Sequence, residues 1–337
     1  MTDRTHPSRR RILGHAVAGA AGAWLGSSAL PSWAQPPARL SPGPGAFSVA
    51  GGPGRERRRI QVRYFMPRRF TPDSPVLLVL PGGSRNAEKH LEPWIRLAQR
   101  HNLLVAALGY PGDDYNFAAY QLGGVVRNLR IRNVEVWPDD TDDPTGDQWL
   151  DGPVRGEAIS YQVEPRETWL FHDFDRIFDK LVEASGSRRR RYDLYGHSAG
   201  AQVVHRAALF HPGSRADRIV AANAGLYTLP QLDTPLIFGL GHSGVTGDEL
   251  RAALGARLTV MLGDRDRKAA FGRRPQRTIG ADDQGLDRFQ RGQTFFRAGR
   301  EAARRLGAPF NWSLEVVPRV GHDHQRMAQA AARLLYG

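Results

Sequence analysis

Ser198 lies in the segment YDLYGHSAGAQ (192–202), held between Gly196 and Gly200 with His197 directly before it. A serine two residues from a glycine on either side, at the end of a short apolar run, has the spacing of a nucleophile turn. The chain passes from strand to helix so tightly there that a Cβ two positions before or after the serine would meet neighbouring backbone. The hydroxyl then projects at a helix N-terminus, where free N–H groups and the helix dipole favour a developing anion. Such a serine attacks carbonyl carbon and carries the product as a covalent intermediate. His197 is not expected to be its base. Its side chain leaves the turn on another side, and a general base needs contact at about 2.6–3.2 Å. The base must come from farther along the chain. A glycine-rich turn with an inert serine is the simpler alternative. The strand-like YDLY before it and the amphipathic stretch after it favour the nucleophile.

Such a turn needs a sheet beneath it, and the sequence supplies the strands. IQVRYFM (60–66) alternates in polarity and stops at Pro67, as an edge strand would. PVLLVLPGG (75–83) and LLVAALGY (103–110) are continuous apolar runs, suited to strands buried on both faces. RYDLYG (191–196), RIVAANAG (218–225), RLTVMLG (257–263) and WSLEVVP (312–318) read as further strands. Between them, 92–102, 167–185, 199–211, 292–307 and 324–337 have helical spacing. Alternating strands and helices predict an α/β fold with a mostly parallel sheet covered on both faces, its ligands bound beyond the C-terminal strand ends. The stretch 111–165 breaks the rhythm. It is long, acidic and turn-rich, and reads as an insertion over the strand ends. Its Tyr115, Phe117, Tyr120, Trp137 and Trp149 either roof the site or anchor a long loop.

These residues together resemble the α/β-hydrolase superfamily. In that family the acid follows the nucleophile and the histidine comes last. After RLTVML the chain reads Gly263-Asp264-Arg265-Asp266, and the family spacing selects Asp266, with Asp264 as the alternative. After WSLEVVP it reads Arg319-Val320-Gly321-His322-Asp323-His324. A histidine following glycine selects His322, with His324 as the alternative. The resemblance implies that His322 takes the proton of Ser198 and that Asp266 fixes the imidazole tautomer. It also implies an oxyanion hole from the N–H of Ala199 and one in the loop after PVLLVL, where Gly83 is favoured over Ser84. Pro81 stands where the family usually has histidine. His90, His172, His205 and His242 lack the placement and read as structural or surface residues. The stretches PGGSRNAEKH, YGHSAGAQ and VGHDH look most like esterases of the polyhydroxybutyrate-depolymerase and feruloyl-esterase type. The implied activity is hydrolysis of a small or polymeric carboxylic ester. The alternatives are a peptidase or amidase of the same fold and a non-catalytic binding protein retaining it.

The N-terminus reads as an export signal. SRRRILG (8–14) is basic, the following stretch is short and weakly apolar, and Ser32-Trp33-Ala34 ends it with cleavage expected after Ala34. The pair Arg9-Arg10 resembles a twin-arginine signal, which implies a periplasmic or secreted protein. Residues 1–34 are therefore assigned to the signal, 35–58 to a Pro-, Gly- and Arg-rich linker, and 59–337 to one hydrolase domain. The absence of cysteine means that no disulfide supports the core. No apolar tract is long enough for a permanent membrane span. The formal charge is +13, of which +10 lies beyond residue 34. Nearly all of the cations are scattered arginines, so no nucleic-acid partner is expected. No cofactor signature appears, and no metal is expected. Asp139, Asp140, Asp142, Asp143 and Asp147 are oxygen ligands of the kind calcium takes, but without the spacing of a calcium loop they read as a solvated loop.

Overall fold

The computed structural model of the chain describes residues 37–134, 154–267 and 278–337. Eight strands form one sheet in the order β1 (Gly43–Ala50), β2 (Arg59–Met66), β4 (Leu104–Gly109), β3 (Val76–Leu80), β7 (Tyr192–His197), β8 (Ala216–Ala222), β9 (Arg257–Gly263) and β10 (Ser313–Val317). β1 to β2 and β2 to β4 are antiparallel; the remaining pairs are parallel. Every residue of β3, β4 and β7 is buried, as continuous apolar runs require when both faces are covered. Alternation along the strands divides the core. Leu77, Val79, Val105 and Ala107 pack with Leu91 and Trp94 of α1 (Ala87–His101) and Met327 and Ala331 of α8 (His324–Tyr336). Val76, Leu78, Leu104 and Ala106 face the other side. There they join α3 (His172–Ser185), α4 (Ala199–Phe210) and α7 (Arg288–Leu306).

Three sequence expectations change. Residues 43–50 are not linker. They form the outermost strand, pairing Gly43 with Met66 through Ala50 with Arg59. Pro44 lacks a ladder donor and is tolerated because β1 lies at the sheet edge. For the same reason β2 is not the edge, but lies between β1 and β4. Helix α1 also begins five residues before Glu92. The Asn86 side chain caps it by accepting the Lys89 N–H at 2.9 Å, and Pro93 falls inside the helix.

The insertion contains the short α2 (Phe117–Tyr120) and an antiparallel ribbon of β5 (Val126–Val134) and β6 (Val154–Val163). Tyr115, Phe117 and Tyr120 are buried in the main core and anchor the insertion rather than roof a site. Trp137, Trp149 and the five aspartates lie outside the described residues, as does the whole of the export signal. Among the described residues no helix is long and apolar enough to cross a membrane.

Candidate active site

Ser198 sits between β7 and α4 with φ 58° and ψ −117°, a left-handed backbone that costs a non-glycine residue about 1–3 kcal/mol. Glycine at the two flanking positions is a steric necessity. A Cβ at Gly196 would lie 2.2 Å from the Gly200 carbonyl oxygen, and one at Gly200 would lie 2.0 Å from that of Leu80. The Ser198 N–H donates to the Ala222 carbonyl at 2.9 Å, which ties the turn to the end of β8.

The three residues picked from the sequence meet there. The Ser198 hydroxyl is 2.9 Å from His322 Nε2, and His322 Nδ1 is 2.7 Å from Asp266 Oδ2. In the neutral tautomer that satisfies both contacts, Nδ1–H donates to the carboxylate and Nε2 accepts from the hydroxyl. Asp266 follows β9 and is buried at 3% exposure, while His322 lies between β10 and α8 and is half-buried. The alternatives stand elsewhere. The Asp264 N–H donates to the Val317 carbonyl at 3.1 Å, and His324 opens α8 with its ring 5.1 Å from that of His90. His197 is buried beside the sheet, its ring 4.7 Å from that of His322, and bonds neither Ser198 nor Asp266. His205 is structural, bonding the Ala201 carbonyl and the Thr228 N–H.

Two supporting residues went unnoticed in the sequence. Asn223 follows β8. Its Oδ1 accepts the Gly263 N–H at 2.8 Å and its Nδ2 donates to the Gly321 carbonyl at 3.1 Å. One buried amide thus joins the loop carrying Asp266 to the loop carrying His322. Arg288, at the start of α7, donates through Nη1 to Asp266 Oδ1 at 3.3 Å. The carboxylate therefore faces an imidazole on one oxygen and a guanidinium on the other.

Burial holds His322 below the ordinary imidazole range, and the Arg288 charge pushes it further down. The hydrogen bond and charge of Asp266 oppose both. If His322 serves as the base it must be neutral to act, so the acid limb of kcat/KM should lie below the usual value near 6.5. Arg288→Met removes a cation, raises the His322 pKa and should move that limb to higher pH. Stability should fall by about 3–5 kcal/mol, because a buried carboxylate loses an ionic partner. A pH–rate series beside thermal melts checks both, and an unmoved or downward-moved limb would contradict this account.

The loop after β3 abuts the turn, since a Cβ at Gly200 would also lie 2.7 Å from the Pro81 carbonyl oxygen. Tyr120 OH donates to that carbonyl at 2.7 Å. The Gly82 N–H is taken by His90 Nε2 at 3.1 Å, and the Gly82 carbonyl by the Arg85 N–H at 2.9 Å. No described residue accepts the N–H of Ala199, Gly83 or Ser84, so the two expected donors are open and the alternative is as well. Among the described residues no cluster of His, Cys, Asp or Glu could hold a metal ion.

No family model matches the chain, and no curated protein does. Solved structures do. Poly(aspartic acid) hydrolase-1 from Sphingomonas sp. KT-1 is 31% identical, covering 88% of this chain and 100% of its own at a TM-score of 0.74. The chain belongs to the α/β-hydrolase superfamily. A poly(3-hydroxybutyrate) depolymerase from Bordetella parapertussis is 28% identical to this hydrolase, covering 88% of this chain and 90% of its own at a TM-score of 0.73. The mostly parallel eight-stranded sheet and the strand-to-helix turn at Ser198 are in keeping with that membership.

Proposed function

We propose that this hydrolase cleaves carboxylic esters through an acyl-enzyme, with Ser198 as nucleophile, His322 as general base and acid, and Asp266 as the residue that orients the imidazole. The observation that carries this reading is the unbroken hydrogen-bond chain from Ser198 Oγ through both His322 nitrogens to Asp266. His322 Nε2 takes the hydroxyl proton as Oγ bonds to the carbonyl carbon. The resulting oxyanion accepts from the N–H groups of Ala199 and Gly83. The imidazolium returns its proton to the leaving alkoxide as the ester bond breaks. Water, deprotonated by the same nitrogen, then releases the acid and restores Ser198. A fluorophosphonate probe should label the wild type and not Ser198→Ala, and p-nitrophenyl esters should be turned over. A wild type that neither labels nor hydrolyses any ester would leave a binding protein on a hydrolase fold.

A second reading concerns the polymer. The 31% identical relative is named for poly(aspartic acid), whose units are joined by amide bonds and carry negative charge. Exposed Arg265, Arg267 and Arg319 stand within three residues of Asp266 or His322. That basic rim suits an acidic polymer, whereas uncharged poly(3-hydroxybutyrate) gains nothing from it. Release of fragments from poly(aspartic acid), compared with suspended poly(3-hydroxybutyrate), separates the two readings.

Export by a twin-arginine route is part of the same proposal and rests on Arg9 and Arg10. Changing both to lysine should leave precursor in the cytoplasm. Mature protein reaching the periplasm of a strain without that translocase would refute the route.

A further inference from the structure

The loop that follows β3 carries adjacent glycines at 82 and 83, the residues with the greatest backbone freedom and the most to lose on being fixed. An oxyanion donor is useful only where it is already in place before charge develops. Something must therefore hold these two peptides, and the contacts identify what does. The Pro81 carbonyl is held by Tyr120 OH and the Gly82 carbonyl by the Arg85 N–H. The peptide N–H between them, that of Gly82, donates to His90 Nε2.

His90 is buried and sits in the first turns of α1, where its own N–H donates to the Asn86 carbonyl at 3.2 Å. Its ring lies directly against the glycine. A Cβ built on Gly82 would be 3.4 Å from both Cε1 and Nε2 of the imidazole, and 3.5 Å from the His197 carbonyl oxygen. The side chain is thus fixed by a rigid helix on one side and fixes a flexible loop on the other. Because the Gly82 N–H is engaged, it cannot serve the substrate, and the next N–H in the chain becomes the first open donor.

We propose that His90 is a positioning residue of the oxyanion loop: by accepting the Gly82 N–H it fixes the Pro81–Gly82 peptide and so anchors the Gly82 Cα from which the next peptide, its carbonyl held by the Arg85 N–H, presents the Gly83 N–H to the substrate oxygen. The role requires an unprotonated Nε2, hence the tautomer with its proton on Nδ1. Burial, aided by the nearby His324 and Lys89, pushes the His90 pKa down to about 3, so that the lone pair persists through any working pH. His197 and His324, whose rings lie 6.4 and 5.1 Å away, are held below the ordinary imidazole range by burial as well. All three rings behind the loop are thus biased toward the neutral form. The inference rests on the Ser198 mechanism proposed above.

Three substitutions test it. In His90→Gln the amide oxygen reaches about as far as Nε2 and can accept the Gly82 N–H. In His90→Asn the acceptor is too short, and in His90→Leu there is none. Displacing one oxyanion donor should lower kcat by about 10²-fold, while KM stays within about threefold. The expected result is that loss in His90→Asn and His90→Leu, with His90→Gln recovering to within about fivefold of wild type. Affinity for a boronic acid transition-state analogue should fall in parallel with kcat. Wild-type kcat in the Asn or Leu variant, equal impairment in all three, or a loss confined to KM would overturn the proposal. Thermal melts of each variant show that the comparison is made on folded protein, and the Asn variant serves if Leu is not tolerated. Ser198→Ala measured alongside separates the two levels. If it stays active, the mechanism itself fails; if it is inactive while His90→Leu is normal, only the role of His90 fails.

Discussion

Ser198→Ala and His322→Ala are each expected to lower turnover by about 10⁶-fold, and the double variant to lose little more. The near-equality follows from geometry. At 2.9 Å, Ser198 Oγ and His322 Nε2 share one proton, and neither group does the other's work alone. A hydroxyl without a base is a weak nucleophile at neutral pH, and a base without the hydroxyl has only water to activate. What should remain after either substitution is the proposed oxyanion hole, the N–H pair of Ala199 and Gly83, which would bind the carbonyl oxygen whether or not the serine attacks. That residue of catalysis is common to all three variants, so their rates should converge rather than multiply. Steady-state kinetics on one p-nitrophenyl ester, with substrate-independent background subtracted, measures this. If His322→Ala kept a substantial rate while His324→Ala lost it, the base would be His324. The distances argue against that outcome, since His324 faces His90 and no hydrogen bond joins it to Ser198.

The parts of the site that were legible in the sequence are those that local chain geometry dictates. Gly196 and Gly200 are required by backbone contacts near 2 Å, so the turn could be read from five residues. Asp266 and His322 each follow a strand and a glycine; the family's spacing after that glycine favoured Asp266 over Asp264, and the glycine directly before it favoured His322 over His324. The misread parts depend on long-range packing. β1 is irregular in composition and exists because β2 offers a free edge; nothing between Gly43 and Ala50 requires a strand without that partner. The aromatics of the insertion could be read equally as a roof or as anchors because their sequence context is polar, and the burial of Tyr115 and Tyr120 decides for anchors. Asn223 and Arg288 were invisible for the same reason. Each is a single polar residue whose meaning comes from partners 40 to 98 residues away for Asn223 and 22 away for Arg288. His90, read as a structural or surface residue, is buried and accepts the N–H of Gly82, eight residues before it.

Asp266→Asn should lower turnover by about 10⁴-fold in a protein that still folds, whereas Asp264→Asn should keep most of its activity. The two aspartates are two residues apart on one loop, but their surroundings differ in kind. Asp266 is buried, with one oxygen 2.7 Å from His322 Nδ1 and the other 3.3 Å from Arg288. An asparagine there can turn only its oxygen or its amide toward each partner. Arg288 is an obligate donor and claims the oxygen, which leaves the amide N–H pointing at Nδ1. Nδ1 must then be the unprotonated nitrogen, Nε2 carries the proton, and the imidazole can no longer take one from Ser198. The loss thus comes from the wrong tautomer, with the fold intact. Stability should still drop, because the buried Arg288 charge loses its ionic partner. Asp264 is half-buried, its backbone N–H serves the Val317 carbonyl, and its side chain reaches neither the imidazole nor the guanidinium. Replacing its carboxylate leaves every bond of the Ser198 chain in place. Kinetics and melts on both variants decide the matter. Loss in Asp264→Asn with activity in Asp266→Asn would mean that the loop rearranges when substrate binds, and normal rates in both would mean that His322 needs no carboxylate to work.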